Sequence, residues 1–566
     1  MVSGELKVQE AKSSSQIENF SYIIALDLDF FYGQVEQLLD PSLKDIPFVV
    51  AQKQCVATCS YAARKLGVNK LASLREAKKI LPDIKVVNGE DLTKYRDASR
   101  EIRALVKQYI TSKRVEKLGL DEIFVDITDQ IENHVKDLQI VSGQVEFDLR
   151  PCEGRRSSFT YAFGTIEGIV EPPLQDGAQF YVDKKLAKVS AASHFAAFLR
   201  REIFEQLGYT SSAGIAHNKL FAKLLSDVHK PNKQTVLNNW SKMDIVNSWL
   251  DQVKVGKLNG FGSKVCKTLL SNIFGSHAVD NFRAQYDKIH GFHQQEEVKD
   301  QEFNLTVGFV RSNASCQHFM DWFGNKKGIV LWDLLNGCDP SPVLESADVP
   351  VQIGVEDSFP TTNDINFVLR KIATLSESLV KRLQHELCED GQWKSFPSMI
   401  RLSFREYGGL AMSKSAIMPV EIFDSKLQIK EKASILSSSL KSSTREIVSK
   451  MGIKWACNII GITANNMKRE ITAQSIYSSL ETMRNRLPYD PEVFDKLPPD
   501  IQEEILGHYD ANRGSKQVVN VPDDASYEES ATVEHVEGNL ICTECGISMF
   551  EWMIPLHRQF HIDSDS

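Results

Sequence analysis

Two acidic clusters stand where strands should end. Tyr22-Ile23-Ile24-Ala25-Leu26 is an apolar run that reads as a buried strand, and it leads straight into Asp27-Leu28-Asp29. The stretch from Leu118 to Thr128 reads as a hairpin with Asp121 and Glu122 at its bend and alternating apolar residues beyond. If these strands pair, Asp27, Asp121 and Glu122 meet. Three such carboxylates can hold two hard cations about 4 Å apart, which neutralise the attacking and leaving oxygens of a phosphoryl transfer. Mg2+ suits oxygen ligands of this kind and keeps positions open for substrate phosphates. Spacing by itself favours the plainer alternative, in which strand-end acids are solvated turn residues. A second set, Cys542-x2-Cys545-x11-His557-x3-His561, has the spacing of a closed tetrahedral zinc site, with two thiolates on a knuckle and two imidazoles one helical turn apart. Zinc there would fold a segment too short to fold alone.

The elements that must position these groups alternate between strand and helix from Tyr22 onward, which predicts a mixed α and β body. Residues 130 to 185 read as looser and punctuated by Gly and Pro. A largely helical region follows Lys230-Pro231-Asn232 and runs to about Cys338, where Asp339-Pro340-Ser341-Pro342 breaks it. Within it, the Gly-rich turn Val255 to Gly262 precedes a predicted helix over Ser263 to Leu270, so backbone N–H groups near Gly260 and Gly262 can take a DNA phosphate without reading bases. Val349 to Met467 reads as another α/β unit, helical over Asp364 to Glu386 and strand-like over Ser398 to Phe404. Residues 509 to 538 are polar, acidic and poor in large apolar side chains, and read as a flexible linker.

A chain of 566 residues exceeds one hydrophobic core and should divide into about three to five units. With 42% hydrophobic and 25% charged residues it has an ordinary globular composition. No apolar run reaches membrane-spanning length, and the polar, Ser-rich start carries no secretory stretch, so an intracellular protein is expected. Ten cysteines in such a chain point to reduced thiols and, where closely paired, to metal. The net charge of -9 divides unevenly. Residues 487 to 566 carry 17 Asp/Glu against 4 Lys/Arg, a charge of -13, while the residues before them hold 58 against 62, a charge of +4. The acidity belongs to the tail, and the body can still offer phosphate a basic groove.

Four motifs in order carry a resemblance. Asp27-Leu28-Asp29-Phe30-Phe31-Tyr32-Gly33-Gln34-Val35-Glu36 resembles the first catalytic motif of Y-family DNA polymerases, and Leu120-Asp121-Glu122 resembles the second. Between them, Tyr61-Ala62-Ala63-Arg64-Lys65-Leu66-Gly67-Val68 resembles the family's fingers motif, and Asn88 to Arg96 follows as it should. The likeness covers residues 20 to 467 and is strongest to the iota-like branch, through Gln52-Lys53, Thr58, Lys70, Gly119, Asn218-Lys219-Leu220 and Lys230 to Thr235. It implies that Asp27, Asp121 and Glu122 are catalytic and hold two Mg2+, with Mn2+ as a substitute, that the Leu28 carbonyl adds an oxygen, and that Glu122 lies close to the primer 3′-hydroxyl. Asp29 is left out of that set. Thr58, Tyr61, Arg64 and Lys230 match triphosphate contacts. Tyr32 matches the aromatic steric gate against a ribose 2′-hydroxyl, with Phe31 stacked nearby, and Gln52 matches a residue beside the templating base.

In the tail, Asp490 to Leu506 has an apolar set split by Leu497-Pro498, which reads as a small helix-turn-helix in need of a partner. It resembles the family's ubiquitin-binding motif, where the Leu-Pro pair meets ubiquitin. Cys545-Gly546 and Trp552 to His561 are similar to the ubiquitin-binding zinc finger of the eta-like branch, with Gln559 where that finger has an acid. The resemblance thus implies a multidomain α/β protein: a disordered N-terminus (1–20), an α+β palm (21–52 and 96–245), small fingers (53–95), a helical thumb with a helix-hairpin-helix (246–345), an α/β little finger (349–467), a linker (468–489), the ubiquitin-binding motif (490–508), the acidic linker (509–538) and a C2H2 zinc finger (539–563). The expected protein is a nuclear, monomeric translesion DNA polymerase acting on primer-template DNA and deoxynucleoside triphosphates, and recruited by ubiquitin or a ubiquitinated sliding clamp. The alternative is a catalytically idle scaffold that binds DNA and ubiquitinated partners.

Overall fold

The computed structural model describes residues 21–138, 143–149, 157–173, 184–238, 243–275, 305–345, 349–389, 392–406, 411–452 and 455–469, and in the tail 533–536, 539–542 and 548–549. The chain divides at Glu470 into a body and a tail unit.

The body begins with β1 (Ile23–Leu28), α1 (Phe31–Leu39), β2 (Phe48–Gln52), β3 (Cys55–Cys59), α2 (Tyr61–Lys65), α3 (Leu74–Ile80), β4 (Lys85–Asn88), α4 (Thr93–Gln108), β5 (Val115–Leu118), β6 (Glu122–Asp126) and α5 (Thr128–Asp137). There follow β7 (Gln144–Leu149), β8 (Ser157–Ala162), β9 (Ile169–Glu171), α6 (Lys184–Leu207), β10 (Ser211–Ala216), α7 (Lys219–Val228) and β11 (Gln234–Leu237). Six of these strands form one sheet in the order β5-β6-β1-β10-β11-β9, antiparallel about β1 and parallel from β10 to β9. Both faces of β1 are covered, which is why it reads as an unbroken apolar run rather than an alternating one. Ile24, Leu26 and Leu28 join a core built with α1, α4 and α6. Ile23 and Ala25 point the other way, into a core with α7 and the helices beyond it. By the period of two, Asp27 falls on the α7 side.

A second sheet, β3-β2-β4, has its own small core of Val49, Val56, Cys59, Ala63, Val68, Ala77 and Ile84. Its central strand is Phe48–Gln52, so this segment pairs with the stretch expected as fingers. Within the region that reads as looser, β7 and β8 form a hairpin whose Phe147 and Phe159 stack at 5.1 Å and rest on Phe195 and Phe198 of α6. Alternating aromatics hold it there, in spite of the Gly and Pro around it.

The helical stretch continues with α8 (Met243–Gln252), α9 (Ser263–Phe274) and helices Val307–Asn313, Cys316–Phe323 and Asn325–Leu335. The last unit of the body is an antiparallel sheet in the order β12-β17-β15-β16, made of β12 (Ile353–Thr362), β15 (Ser395–Arg405), β16 (Met412–Ile417) and β17 (Cys457–Arg469), with β13 (Cys388–Glu389) and β14 (Gln392–Trp393) as a small hairpin beside it. Helices Ile365–Leu387 and Ile429–Met451 pack on this sheet. The first buries Val368, Ile372, Leu375, Leu379, Leu383 and Leu387, one stripe at helical spacing.

In the tail unit, Val533–Val536, Asn539–Cys542 and Ser548–Met549 form a three-stranded antiparallel sheet. Val533–Val536 falls inside the stretch expected as a flexible linker, and its paired backbone corrects that expectation for these four residues. The N-terminal segment 1–20, Leu497, Pro498, Cys545, His557 and His561 lie outside the described residues. No described helix is long and apolar enough to cross a membrane.

Candidate active site

Strand pairing settles which acids meet. In the β1–β6 register Asp27 stands opposite Glu122, and the Leu28 N–H donates to the Asp121 carbonyl at 2.9 Å. The turn between β5 and β6 passes through Gly119 at φ +72, a conformation that favours glycine, and this delivers Asp121 and Glu122 beside the end of β1. Asp27 is 4% exposed. Burial pushes its carboxyl up to about 6, against the opposing pull of Lys230 and Lys223. A carboxylate so placed calls for positive charge. Lys230 Nζ lies 2.6 Å from Asp27 Oδ2, and Lys223 pairs with Glu122 while standing 3.7 Å from Asp27.

Lys223 was not apparent from the motifs, although a signal exists. It stands one turn after Lys219 on α7, set among Leu220, Phe221, Ala222, Leu224 and Leu225, and such a lysine needs a carboxylate partner. Gly214 lets the helix come close enough, since a Cβ there would lie 2.0 Å from the Ala222 carbonyl oxygen. Lys230 is also held by Asp227, at 2.7 Å, and its ammonium is stabilised by both acids against the cost of burial.

Among the described residues no group of three or more His, Cys, Asp or Glu side chains forms a ready-made metal cage. The donors nevertheless suit a hard cation: carboxylate oxygens on paired strand ends, one of them buried and now compensated by two ammonium groups. Asp121 also acts on Tyr32, whose phenol is pushed up by burial first and by this carboxylate second.

The remaining candidates gather on the neighbouring elements. Tyr32 lies in the first turn of α1, its ring stacked on Tyr95 at 4.1 Å. The Tyr95 hydroxyl donates to the buried Glu36, which also pairs with Lys94 at 2.7 Å. Phe31 is 3% exposed and packs among Tyr32, Tyr95 and Tyr209, as part of the core beneath Tyr32. Tyr61 opens α2 and meets Phe30 edge-on at 5.2 Å, while the Arg64 guanidinium lies 4.7 Å from the Tyr61 ring centre. Burial, reinforced by Asp29, pushes the Tyr61 phenol up to about 12, so it stays a donor at neutral pH. Thr58 is buried on β3, opposite Val50, and Gln52 Nε2 donates to the Gly89 carbonyl at 3.0 Å. Gly260 and Gly262 stand apart, in the turn before α9, where Leu258 and Phe261 anchor the backbone in the helical core and Gly262 faces open space.

A family model described as the impB/mucB/samB family matches residues 26–227, the segment that carries both acidic clusters and Lys223. The chain is 34% identical over 385 residues to DNA polymerase iota of Homo sapiens, covering 68% of this chain and 43% of that protein. It is 32% identical over 430 residues to DNA polymerase iota of Drosophila melanogaster, covering 73% of this chain and 49% of that one. Against DNA polymerase IV of Staphylococcus haemolyticus it is 30% identical over 366 residues, covering 64% of this chain and 76% of the relative. The chain spans about half the length of the iota relatives it matches. Acids on paired strand ends, the order of the motifs and these relatives agree, and the chain belongs to the impB/mucB/samB family, the Y-family DNA polymerases.

Proposed function

We propose that this chain is a template-directed DNA polymerase that extends a primer opposite damaged bases. The observation that carries the reading is the cross-strand pair Asp27 and Glu122, with Asp121 beside it and two lysines compensating the buried charge. Two Mg2+ ions held by Asp27, Asp121, Glu122 and the Leu28 carbonyl would, when bound, neutralise the oxygens that attack and leave the α-phosphorus. The chain's own groups do the rest. Lys230, Arg64, Tyr61 and Thr58 would hold the triphosphate, the first two by charge and the others through their hydroxyls. Tyr32, backed by Tyr95, fills the space a ribose 2′-hydroxyl needs. Gln52 adjoins the templating base. Gly260 and Gly262 offer backbone N–H groups to a DNA phosphate.

On this reading the six-stranded sheet is the palm, the three-stranded sheet the fingers, the helices to Leu335 the thumb, and the last four-stranded sheet the little finger. The tail brings the enzyme, in the nucleus, to ubiquitin-marked clamps through Leu497 and Pro498, and holds Zn2+ through Cys542, Cys545, His557 and His561. Cys542 closes the strand Asn539–Cys542.

Primer extension with Mg2+ tests the core of this. The wild-type chain should extend a primer on plain and lesion-bearing templates, and Asp121→Ala should lose extension while still binding DNA. DNA binding by the wild type without any extension would favour the idle scaffold. For the tail, Leu497→Ala should weaken ubiquitin binding and leave extension unchanged.

A further inference from the structure

Asp29 is acidic, two residues from Asp27, and has no part in the metal set. It is 1% exposed, deeper than Asp27 itself. A side chain this buried needs hydrogen-bond partners, and each of its two oxygens has one. Oδ1 accepts from the Ser212 hydroxyl at 2.8 Å, and Oδ2 accepts from the backbone N–H of Asn232 at 2.9 Å. Ser212 lies on β10 and Asn232 on the turn between α7 and β11, two residues after Lys230. The same turn is also held by Arg200 of α6. Its Nη2 donates to Asn232 Oδ1 at 2.7 Å, its Nη1 to Gln234 Oε1 at 3.2 Å and its Nε to the Ser211 carbonyl at 2.7 Å. Burial disfavours the charged form of this guanidinium, and Asp29 is the first of the acids that offset it. Asn232 itself sits at φ +52, a left-handed conformation that the turn must impose.

We propose that Asp29 is a positioning residue for Lys230. Together with Arg200 it clamps the Lys230–Lys233 turn onto the end of β1, so that the Lys230 ammonium is aimed at the site where the triphosphate binds. Asp27 takes the α7 side of the sheet and meets Lys230 through its head group, whereas Asp29, past the end of the strand, reaches the backbone that carries the same lysine. The Asp-x-Asp pair therefore bears on one lysine in two ways: Asp27 meets its ammonium, and Asp29 holds the backbone two residues further on.

The proposal rests on the polymerase reading, and full-length wild-type protein that extends a primer is the entry condition that keeps the two apart. Asp29→Ala removes both acceptors. It should raise the KM for the incoming deoxynucleotide about tenfold, with kcat and DNA affinity changed less than about twofold, because the lysine is misaimed while the metal acids stay in place. Asp29→Asn keeps an oxygen for the Asn232 N–H, and its amide can donate to the Ser212 hydroxyl, so it should return most of the lost KM. Hydrogen exchange gives a readout independent of activity: the Asn232 amide should exchange faster in the Ala variant than in the Asn variant. Should Asp29→Ala fail to fold, Ser212→Ala removes one of the two donors alone and should give a smaller rise in KM in the same direction. An Asn variant as inactive as Asp27→Asn would overturn the proposal, since that is the behaviour of a metal ligand. An unchanged KM in Asp29→Ala, or in Ser212→Ala where that variant stands in, would also overturn it.

Discussion

A single buried side chain can carry a measurable consequence of the fold, and His217 does so. It follows β10 directly, lies with its ring 5.2 Å from that of Phe221, and has its imidazole pushed down to about 4, chiefly by burial and secondarily by Lys185. The unfolded chain takes up this proton near the ordinary value of about 6.5, while the folded chain resists it. Stability is therefore full above about pH 6.5, declines as the pH falls towards 4 and levels off below that, a loss of about 3 kcal/mol. Asp27, with its carboxyl pushed up, gains stability as the pH falls through the same window, so His217 is read by difference: in denaturant melts His217→Phe, which keeps the ring, should gain on the wild type as the pH falls from about 6.5 to 4. Equal slopes in the two proteins would remove His217 as the cause. The other single-residue prediction concerns sugar selection. Tyr32 is held by the stacked Tyr95, whose hydroxyl is fixed by Glu36, so the ring has a rigid backing. Tyr32→Ala should raise ribonucleotide incorporation by an order of magnitude or more, roughly the effect of removing a steric block. Competition between ribo- and deoxynucleotides in primer extension measures this, and an unchanged ratio would refute the gate.

Among the elements, the approach of α7 to β10 decides whether the lysines reach the acids. Gly214 is where backbone meets backbone, with a Cβ position 2.0 Å from the Ala222 carbonyl oxygen and 2.6 Å from the Ser226 nitrogen. Neither atom is the yielding end of a side chain. Gly214→Ala should push α7 outward, cost about 1–3 kcal/mol by overpacking, and move Lys223 off Glu122. A lowered denaturation midpoint measures the first effect and weaker nucleotide binding the second; a neutral substitution would mean that the helix shifts without cost. This contact also marks the limit of what the sequence discloses. The strand ending in Asp27 and the bend at Asp121 and Glu122 were legible, because an apolar run and an alternating one each leave a pattern over consecutive residues. The helix Ile365–Leu387 was legible to within a residue at either end, because its stripe repeats for six turns. Lys223, the Asp29–Asn232 bond and the β7–β8 hairpin were not. Each depends on a partner 8 to 203 residues away, through a ladder, a glycine-sized gap or an aromatic stack, and no local period records such a pairing.

The body as a whole is held by two kinds of contact. Apolar cores join the six-stranded sheet to the helices on its two faces. The last four-stranded unit is tied to the earlier ones by charges: Lys53 to Asp357 and to the Ser358 carbonyl, Asp357 in turn to Lys371 at 2.8 Å, His385 to Asp97 at 2.7 Å, and Glu386 to Arg382 at 2.6 Å with Arg96 at 3.9 Å. A latch of ion pairs holds a position at low ionic strength and yields when salt or a polyanion competes for its cations. Glu386 is its keystone, for it lies between two arginines, and the Arg96 guanidinium is disfavoured by burial first and by Arg382 second. Without Glu386 those two cations face one another with less compensation. Small-angle scattering of the wild-type body should thus show a compact particle at low salt that opens as NaCl is raised, where the screening length falls to about 3 Å at 1 M. Glu386→Ala should be open at low salt already. If the variant stays as compact as the wild type, and neither responds to salt, apolar contact rather than charge holds the unit in place.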